Sequence, residues 1–310
     1  MRPGLGAARV RVPCSTSNLG SGFDCIGLAL DRYLDVSFEA GGDDIRVERA
    51  GSLTGLRVGP EGDAVVAAFR SAFDARGEST VHGTFRMTSS IPVARGLGSS
   101  AAATVAGLML AARVHGERPS TGGLLDAAVR IEGHPDNSAP ALMGGLVGVA
   151  SGPAGRLHAF GLPLSDALGF AFAAPPAEFS TVQARRALPA SVPHAAAGRA
   201  LGRVAALVHG MATADPDLLR AGFEDELHVP YRLPLIPGAA DALEAARGAG
   251  AFAVTISGSG SGLIAVCERV AAPSVAAAMA AAFQVAGAGE DVVGMALEPD
   301  FAGARTVEAS

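Results

Sequence analysis

The apolar positions change period along the chain, and each change marks an element. Residues 33–39 and 45–48 alternate apolar with polar, the period of a half-buried strand, and Gly41-Gly42-Asp43-Asp44 between them is a turn. Shorter apolar runs predict strands over 9–13, 84–87, 168–173, 251–256, 263–266 and 292–297. Apolar spacing of three and four predicts helices over 64–75, 101–112, 124–131, 195–211, 217–220, 239–248 and 274–286. Residues 118–123 break the pattern, and residues 306–310 are expected to fray. A boundary is placed near 151–155, giving an N-terminal domain over 1–153 and a C-terminal domain over 154–310.

The interruptions carry the chemistry. Between the strand at 84–87 and the helix at 101–112 lies Ile91-Pro92-Val93-Ala94-Arg95-Gly96-Leu97-Gly98-Ser99-Ser100-Ala101-Ala102-Ala103. Glycine lets a backbone approach a ligand closely. The first turn of the next helix adds unpaired N–H groups and the positive end of the helix dipole. Together they suit a phosphate. The hydroxyls of Ser99 and Ser100 can bond a phosphate oxygen or ligate Mg²⁺. A capping serine in an ordinary turn is the plainer alternative. The whole string in its strand-loop-helix setting favours phosphate binding.

Three further interruptions stand out. Pro13 to Asp24 reads as a loop, with Asn18 and Asp24 suited either to a substrate ammonium or to local backbone bonds. Glu132, Gly133, His134, Pro135, Asp136 and Asn137 crowd four functional groups together. Glu132 can offer Mg²⁺ a hard oxygen ligand, whereas a single His makes zinc a poor fit. Ser257-Gly258-Ser259-Gly260-Ser261-Gly262, between two strands, suggests a backbone concavity beside an anion, or simply a glycine-rich hairpin.

Composition narrows the classes. With 49% hydrophobic and only 17% charged residues, the chain of 310 can bury a sizeable core. A net charge of −6 argues against a general nucleic-acid binder. Every basic residue is Arg, which excludes a Walker A lysine and a Schiff-base lysine. Cys14, Cys25 and Cys267 show no metal spacing and read as reduced, buried thiols. Residues 1–10 lack the apolar region of a signal peptide, and no stretch has membrane-spanning length. A soluble, cytoplasmic protein is expected.

Five strings together resemble the homoserine kinases of the GHMP kinase superfamily. They are V-P-x-S-x-S-N-L-G-x-G-F-D-x-x-G-L-A-L from Val12, the Gly-Leu-Gly-Ser-Ser string, E-G-H-P-D-N-x-A-P-A-L-x-G-G from Glu132, S-T-x-x-A-R-x-x-L-P from Ser180, and the stretch 223–262. The resemblance implies a two-domain α+β fold of the GHMP kinases. Its N-terminal domain would be like ribosomal protein S5 domain 2, and its C-terminal domain ferredoxin-like. It implies ATP, Mg²⁺ and L-homoserine in the cleft between them, and O-phospho-L-homoserine as product. Pro92 to Ala102 would hold ATP. Ser99 or Ser100 would place Mg²⁺ with Glu132. Asn18 and Asp24 would take the substrate ammonium, and Arg185 and Arg232 its carboxylate. His134 and Asn137 would lie near the reacting hydroxyl. Relatives with other substrates carry Asp where Asn137 stands, so catalysis without a dedicated base is expected, with Asp136 as a candidate. Asp63 stands where these kinases carry an Asn near adenine, and Gly260-Ser261-Gly262 where they carry Gly-Pro-Thr. A kinase for another small alcohol and a non-catalytic sensor are the alternatives. The oligomeric state is left open, a homodimer included.

Overall fold

The computed structural model describes residues 8–177, 181–287, 289 and 291–307. Residues 1–10 of the signal-peptide reading fall partly outside this set, as do Glu178, Phe179, Ser180 and 308–310.

The first half is built on an antiparallel pair, β1 (Ala8–Ser17) and β2 (Ile26–Ala40). β3 (Ile45–Gly51) follows, and α1 (Ala64–Asp74) carries the chain to β4 (Gly83–Ser89). β4 pairs parallel to β3 and antiparallel to β2. Next come α2 (Ser99–Val114), α3 (Thr121–Glu132) and α4 (Ser138–Met143). β5 (Leu146–Ser151) and β6 (Leu157–Leu162) then extend the sheet beside the start of β2. In β4 the buried Phe85 and Met87 alternate with exposed Arg86 and Thr88, so one face of the sheet is committed to the core. There Val36, Phe38 and Phe85 meet Val65 and Phe69 of α1 and Val105 and Leu110 of α2.

The second half is a four-stranded antiparallel sheet with helices on both faces. In chain order it comprises β7 (Leu168–Ala174), α5 (Thr181–Arg186), α6 (His194–Thr213), α7 (Pro216–Phe223), α8 (Val229–Arg232) and α9 (Ala239–Gly248). β8 (Ala253–Ile256), β9 (Leu263–Glu268), α10 (Ala272–Val285) and β10 (Val293–Leu297) complete it. β7 is buried at every position because both faces are covered. Ala171, Ala173 and Leu263 pack with Leu243 of α9 and Met279 and Phe283 of α10. Phe170, Phe172 and Ile264 face the other way and join the core of the first half, with Leu207, Met211 and Phe223 of α6 and α7. A short last strand, β11 (Arg305–Thr306), returns to pair with β1.

Several expectations change. β1 continues through the stretch read as loop, to Ser17, with a register shift between Pro13 and Cys14. Its small polar residues are buried yet bonded, Ser15 to Asn137 and Thr16 to Ser257, which lets a polar sequence run as an inner strand. β2 is one strand of 15 residues that begins at Ile26, well before the alternating stretch at 33–39. α4 follows Asn137 where no helix was expected. The first sheet extends beyond residue 153, since β6 pairs with β5. Thr306 is paired with Val10 rather than frayed.

Candidate active site

The glycine string closes over the start of α2. Ala94, Gly96 and Gly98 all take positive φ, at 56°, 94° and 62°. A Cβ on Gly96 would lie 2.2 Å from the Ser257 carbonyl oxygen, and one on Gly98 would lie 2.3 Å from Ser15 Oγ. Only glycine meets both demands. Gly98 is the N-cap of α2 and offers no side-chain bond, so the first-turn N–H groups stay open to a ligand. Ser99 Oγ accepts from Ala94 N at 3.4 Å. Arg95 turns a guanidinium nitrogen to the Pro175 carbonyl. The 257–262 loop buttresses this string: Ser257 Oγ donates to Gly96 O at 2.7 Å and Gly262 N to Arg95 O at 3.0 Å.

A cleft of about 590 Å³ opens in front of the string. One end is apolar, lined by Leu34, Leu53, Leu56, Val58 and Met87. The other holds Ser99, Ser100, Glu132, His134 and Asn137. Asp63 also lines it, but its carboxylate is occupied: Oδ1 accepts from Val65 N and Val66 N at the start of α1, and Oδ2 accepts from Arg49 at 2.6 Å.

Glu132, the last residue of α3, has Oε1 2.9 Å from Ser100 Oγ and 2.6 Å from Thr104 Oγ1. Among the described residues no group of three His, Cys, Asp or Glu could cage a metal. A hard-oxygen pair beside an anion cradle fits Mg²⁺ all the same, because that ion keeps waters and shares phosphate oxygens with one or two protein ligands.

The loop after α3 is a connected network. His134 Nδ1 lies 2.8 Å from Asp136 Oδ1. Asp136 is buried. Burial alone would push its carboxyl up, but the His134 contact, Ser17 and the charge of Arg185 outweigh that and hold it below the ordinary 3.8. The same contact raises His134 against the opposing effect of burial. Asn137 donates from Nδ2 to Ser17 Oγ at 2.8 Å and accepts at Oδ1 from Ser15 Oγ at 3.0 Å.

Beyond this loop lies a second charged group. Asp24 and Arg185, expected at opposite ends of a substrate, are paired with each other at 2.9 and 3.1 Å. Arg232 is 1% exposed. Its Nε donates to Ala184 O at 3.2 Å, its plane lies over the Phe23 ring at 5.1 Å, and its Nη1 is buried with no partner. Burial lowers its pKa, partly offset by Asp24. His228, fully buried, stacks on the other side of this group against Phe23 at 5.0 Å. Asn18 takes a positive φ of 59°, accepts from Asp24 N at 2.8 Å and donates to Gly258 O at 3.1 Å. Its carbonyl therefore shapes the turn that presents Asp24.

The chain is similar to known proteins. The GHMP kinases N terminal domain matches residues 63–145, and the GHMP kinases C terminal domain matches 207–285. A homoserine kinase of Synechococcus sp. strain CC9605 is 41% identical over 90% of this chain and 89% of its own length. The chain belongs to the homoserine kinase family. Another member, from Moorella thermoacetica, is 43% identical over 88% of this chain and 92% of its own. The crystal structure of homoserine kinase from Cytophaga hutchinsonii superposes with a TM-score of 0.83 at 28% identity, covering 99% of both chains. Mevalonate kinase from L. major shares the fold, with a TM-score of 0.67 at 14% identity over 93% of this chain and 95% of its own. The two-domain α+β fold of GHMP kinases is thus the fold of this chain.

Family motifs pointed to the chain segments but not to every working side chain in them. Ser15 and Ser17 lie inside the first motif, yet their partner Asn137 is 122 and 120 residues away. Thr104 hides among helix-forming residues, and only the α2/α3 packing brings it to Glu132. Cys14 and Cys267, as expected, are inert: burial pushes their thiols up to about 12 and about 11.

Proposed function

We propose that this protein transfers the γ-phosphoryl group of ATP to the side-chain hydroxyl of L-homoserine, giving O-phospho-L-homoserine and ADP on the way to threonine. The observation that carries this reading is the pairing of two sites across one loop. An uncapped helix N-terminus in a glycine cradle lies on one side of His134 to Asn137, and a buried guanidinium with an unpartnered Nη1, beside an Asp–Arg ion pair, lies on the other. The first suits a polyphosphate, the second an amino-acid zwitterion. No helix of the described residues is long and apolar enough to cross a membrane, and the cysteines are free, which suits a cytoplasmic enzyme.

In this mechanism the apolar end of the cleft takes the base. Backbone N–H groups from Gly96 to Ala101 and the α2 dipole hold the phosphates. Ser99, Ser100 and Glu132 would hold Mg²⁺, which supplies charge neutralisation at the phosphate oxygens. Asp24 receives the substrate ammonium and Arg185 and Arg232 its carboxylate, so the substrate's two charges replace the Asp24–Arg185 contact. That fixes the hydroxyl near His134 and Asn137. The hydroxyl oxygen attacks the γ-phosphorus, the bond to the β,γ-bridging oxygen breaks, ADP leaves with the electron pair, and the hydroxyl proton passes to an oxygen of the transferred phosphoryl group and on to water. An amide at Asn137 cannot take the hydroxyl proton, so positioning and charge stabilisation supply most of the acceleration.

A coupled ADP-release assay with ATP and Mg²⁺ over homoserine, serine, threonine, mevalonate and galactose tests the reading. Homoserine should exceed every other alcohol in kcat/KM by at least about a hundredfold, the scale of one lost charged hydrogen bond. Comparable turnover of mevalonate or galactose would assign another alcohol, and ATP binding without turnover of any would assign a sensor.

A further inference from the structure

The contacts behind the cleft assign a role to two buried residues that do not line it. Asp136 is 1% exposed and Ser17 0%, whereas their partners His134 and Asn137 both line the cleft. An ionised carboxylate only accepts. His134 must therefore carry its proton on Nδ1, where it donates to Asp136 Oδ1 at 2.8 Å. Ser17 Oγ accepts from Asn137 Nδ2 at 2.8 Å and from Asn18 Nδ2 at 3.4 Å. The Ser15 hydroxyl lies 3.0 Å from both Asn137 Oδ1 and Asn137 O.

We propose that Asp136 and Ser17 are positioning residues for phosphoryl transfer: Asp136 fixes the His134 ring so that Nε2 is the nitrogen offered to the cleft, and Ser17 fixes the Asn137 amide. This rests on the kinase reading above and deepens it. Asp136 acts through its neighbours and does not itself take the substrate proton. It lies behind His134, is 1% exposed, and is engaged by the ring N–H. A buried hydrogen-bonded contact of this kind fixes one geometry, and opening it loosens the ring. Partners that orient a working side chain are typically worth about ten- to a hundredfold in activity.

The test uses Asp136→Asn, which keeps the shape but can present an N–H to His134. We expect kcat to fall at least tenfold, with KM for homoserine and for ATP each changing less than threefold. In ¹⁵N spectra of the ligand-free protein, His134 should be Nδ1-protonated in the wild type and shift towards Nε2 protonation in the variant. Adding Asp136→Asn to His134→Gln should cause little further loss if Asp136 works through the ring. Ser17→Ala provides a second route should Asp136→Asn fold poorly, and it should lower kcat in the same pattern. An unchanged kcat, an unchanged His134 tautomer, or a full additional loss in the double variant would overturn the proposal. The tautomer readout needs no turnover. It stands or falls separately from the substrate assay, in which wild-type protein inert towards homoserine would overturn the kinase reading alone.

Discussion

Arg232 heads the fully buried side chains by volume, and a guanidinium with an unpartnered Nη1 is costly to keep in such a place. Its packing offsets that cost only in part. Phe23 covers one face, Ala184 O takes only Nε, and the nearest carboxylates act on it through space. A ligand carboxylate completes the set. Arg232→Ala should raise KM for homoserine roughly tenfold to over a hundredfold, the range of a charge-assisted bond of about 1.5–3 kcal/mol. KM for ATP should move little, because the cleft that receives it contains no part of Arg232. Steady-state kinetics varying each substrate decides this, and an equal rise in both constants would make Arg232 structural. This residue was legible from its motif, since a family string fixes identity and order. Asp63 shows the limit of such reading: a carboxylate in place of an amide could face adenine or cap a helix, and only the coordinates show Val65, Val66 and Arg49 engaging it.

At the level of elements, the glycine string was legible because its demands are local. Positive φ and close backbone approach admit one residue type, so sequence and geometry carry the same information. The prediction that belongs here compares two glycines. Gly96→Ala places a methyl 2.2 Å from a backbone oxygen of the buttressing loop at φ 94°. The loop must shift, at a stability cost of about 1–3 kcal/mol, and ATP affinity should fall at least tenfold. Gly202 lies inside α6 with nothing within 4 Å of a Cβ. Gly202→Ala should instead stabilise by about 0.5–1 kcal/mol and leave ATP binding unchanged. Calorimetric titration of a non-hydrolysable ATP analogue, with thermal melts of both variants, separates the two. β1 was less legible. Its last residues, Cys14 to Ser17, carry loop-like side chains whose hydrogen-bond partners come from Asn137 and Ser257, and no local pattern announces partners so far away.

At the scale of the whole molecule, the two halves share one core. Phe170, Phe172 and Ile264 of the second sheet pack in the same cluster as Val36, Phe85 and Val105 of the first half. The C-terminal tail adds a tie between them. After β10, Glu298 and Asp31 exchange bonds, and Asp300 N and O pair with Ala29 O and Gly145 N. The Asp300 carboxylate, 6% exposed, accepts from Ala302 N, Gly303 N and the Tyr33 hydroxyl at 2.7–2.9 Å and faces Arg305 at 3.4 Å. A boundary near 151–155 can be read from turn-forming residues, whereas a sequence shows where elements lie and not which faces they share. A common core predicts one cooperative transition, with amides of β4 and β9 losing protection together in hydrogen exchange. Asp300→Ala removes an acceptor from four donors at once and leaves the Tyr33 hydroxyl and two backbone N–H groups unpaired, while Arg305 keeps the Gly303 carbonyl. The loss should be about 3 kcal/mol, and denaturant midpoints followed by circular dichroism should fall accordingly. Asp300→Asn, which keeps an oxygen for the two N–H groups, should lose clearly less. If the second sheet stayed protected while the first unfolded, or if Asp300→Ala left the midpoint unchanged, the tail would be a passenger on two independent domains.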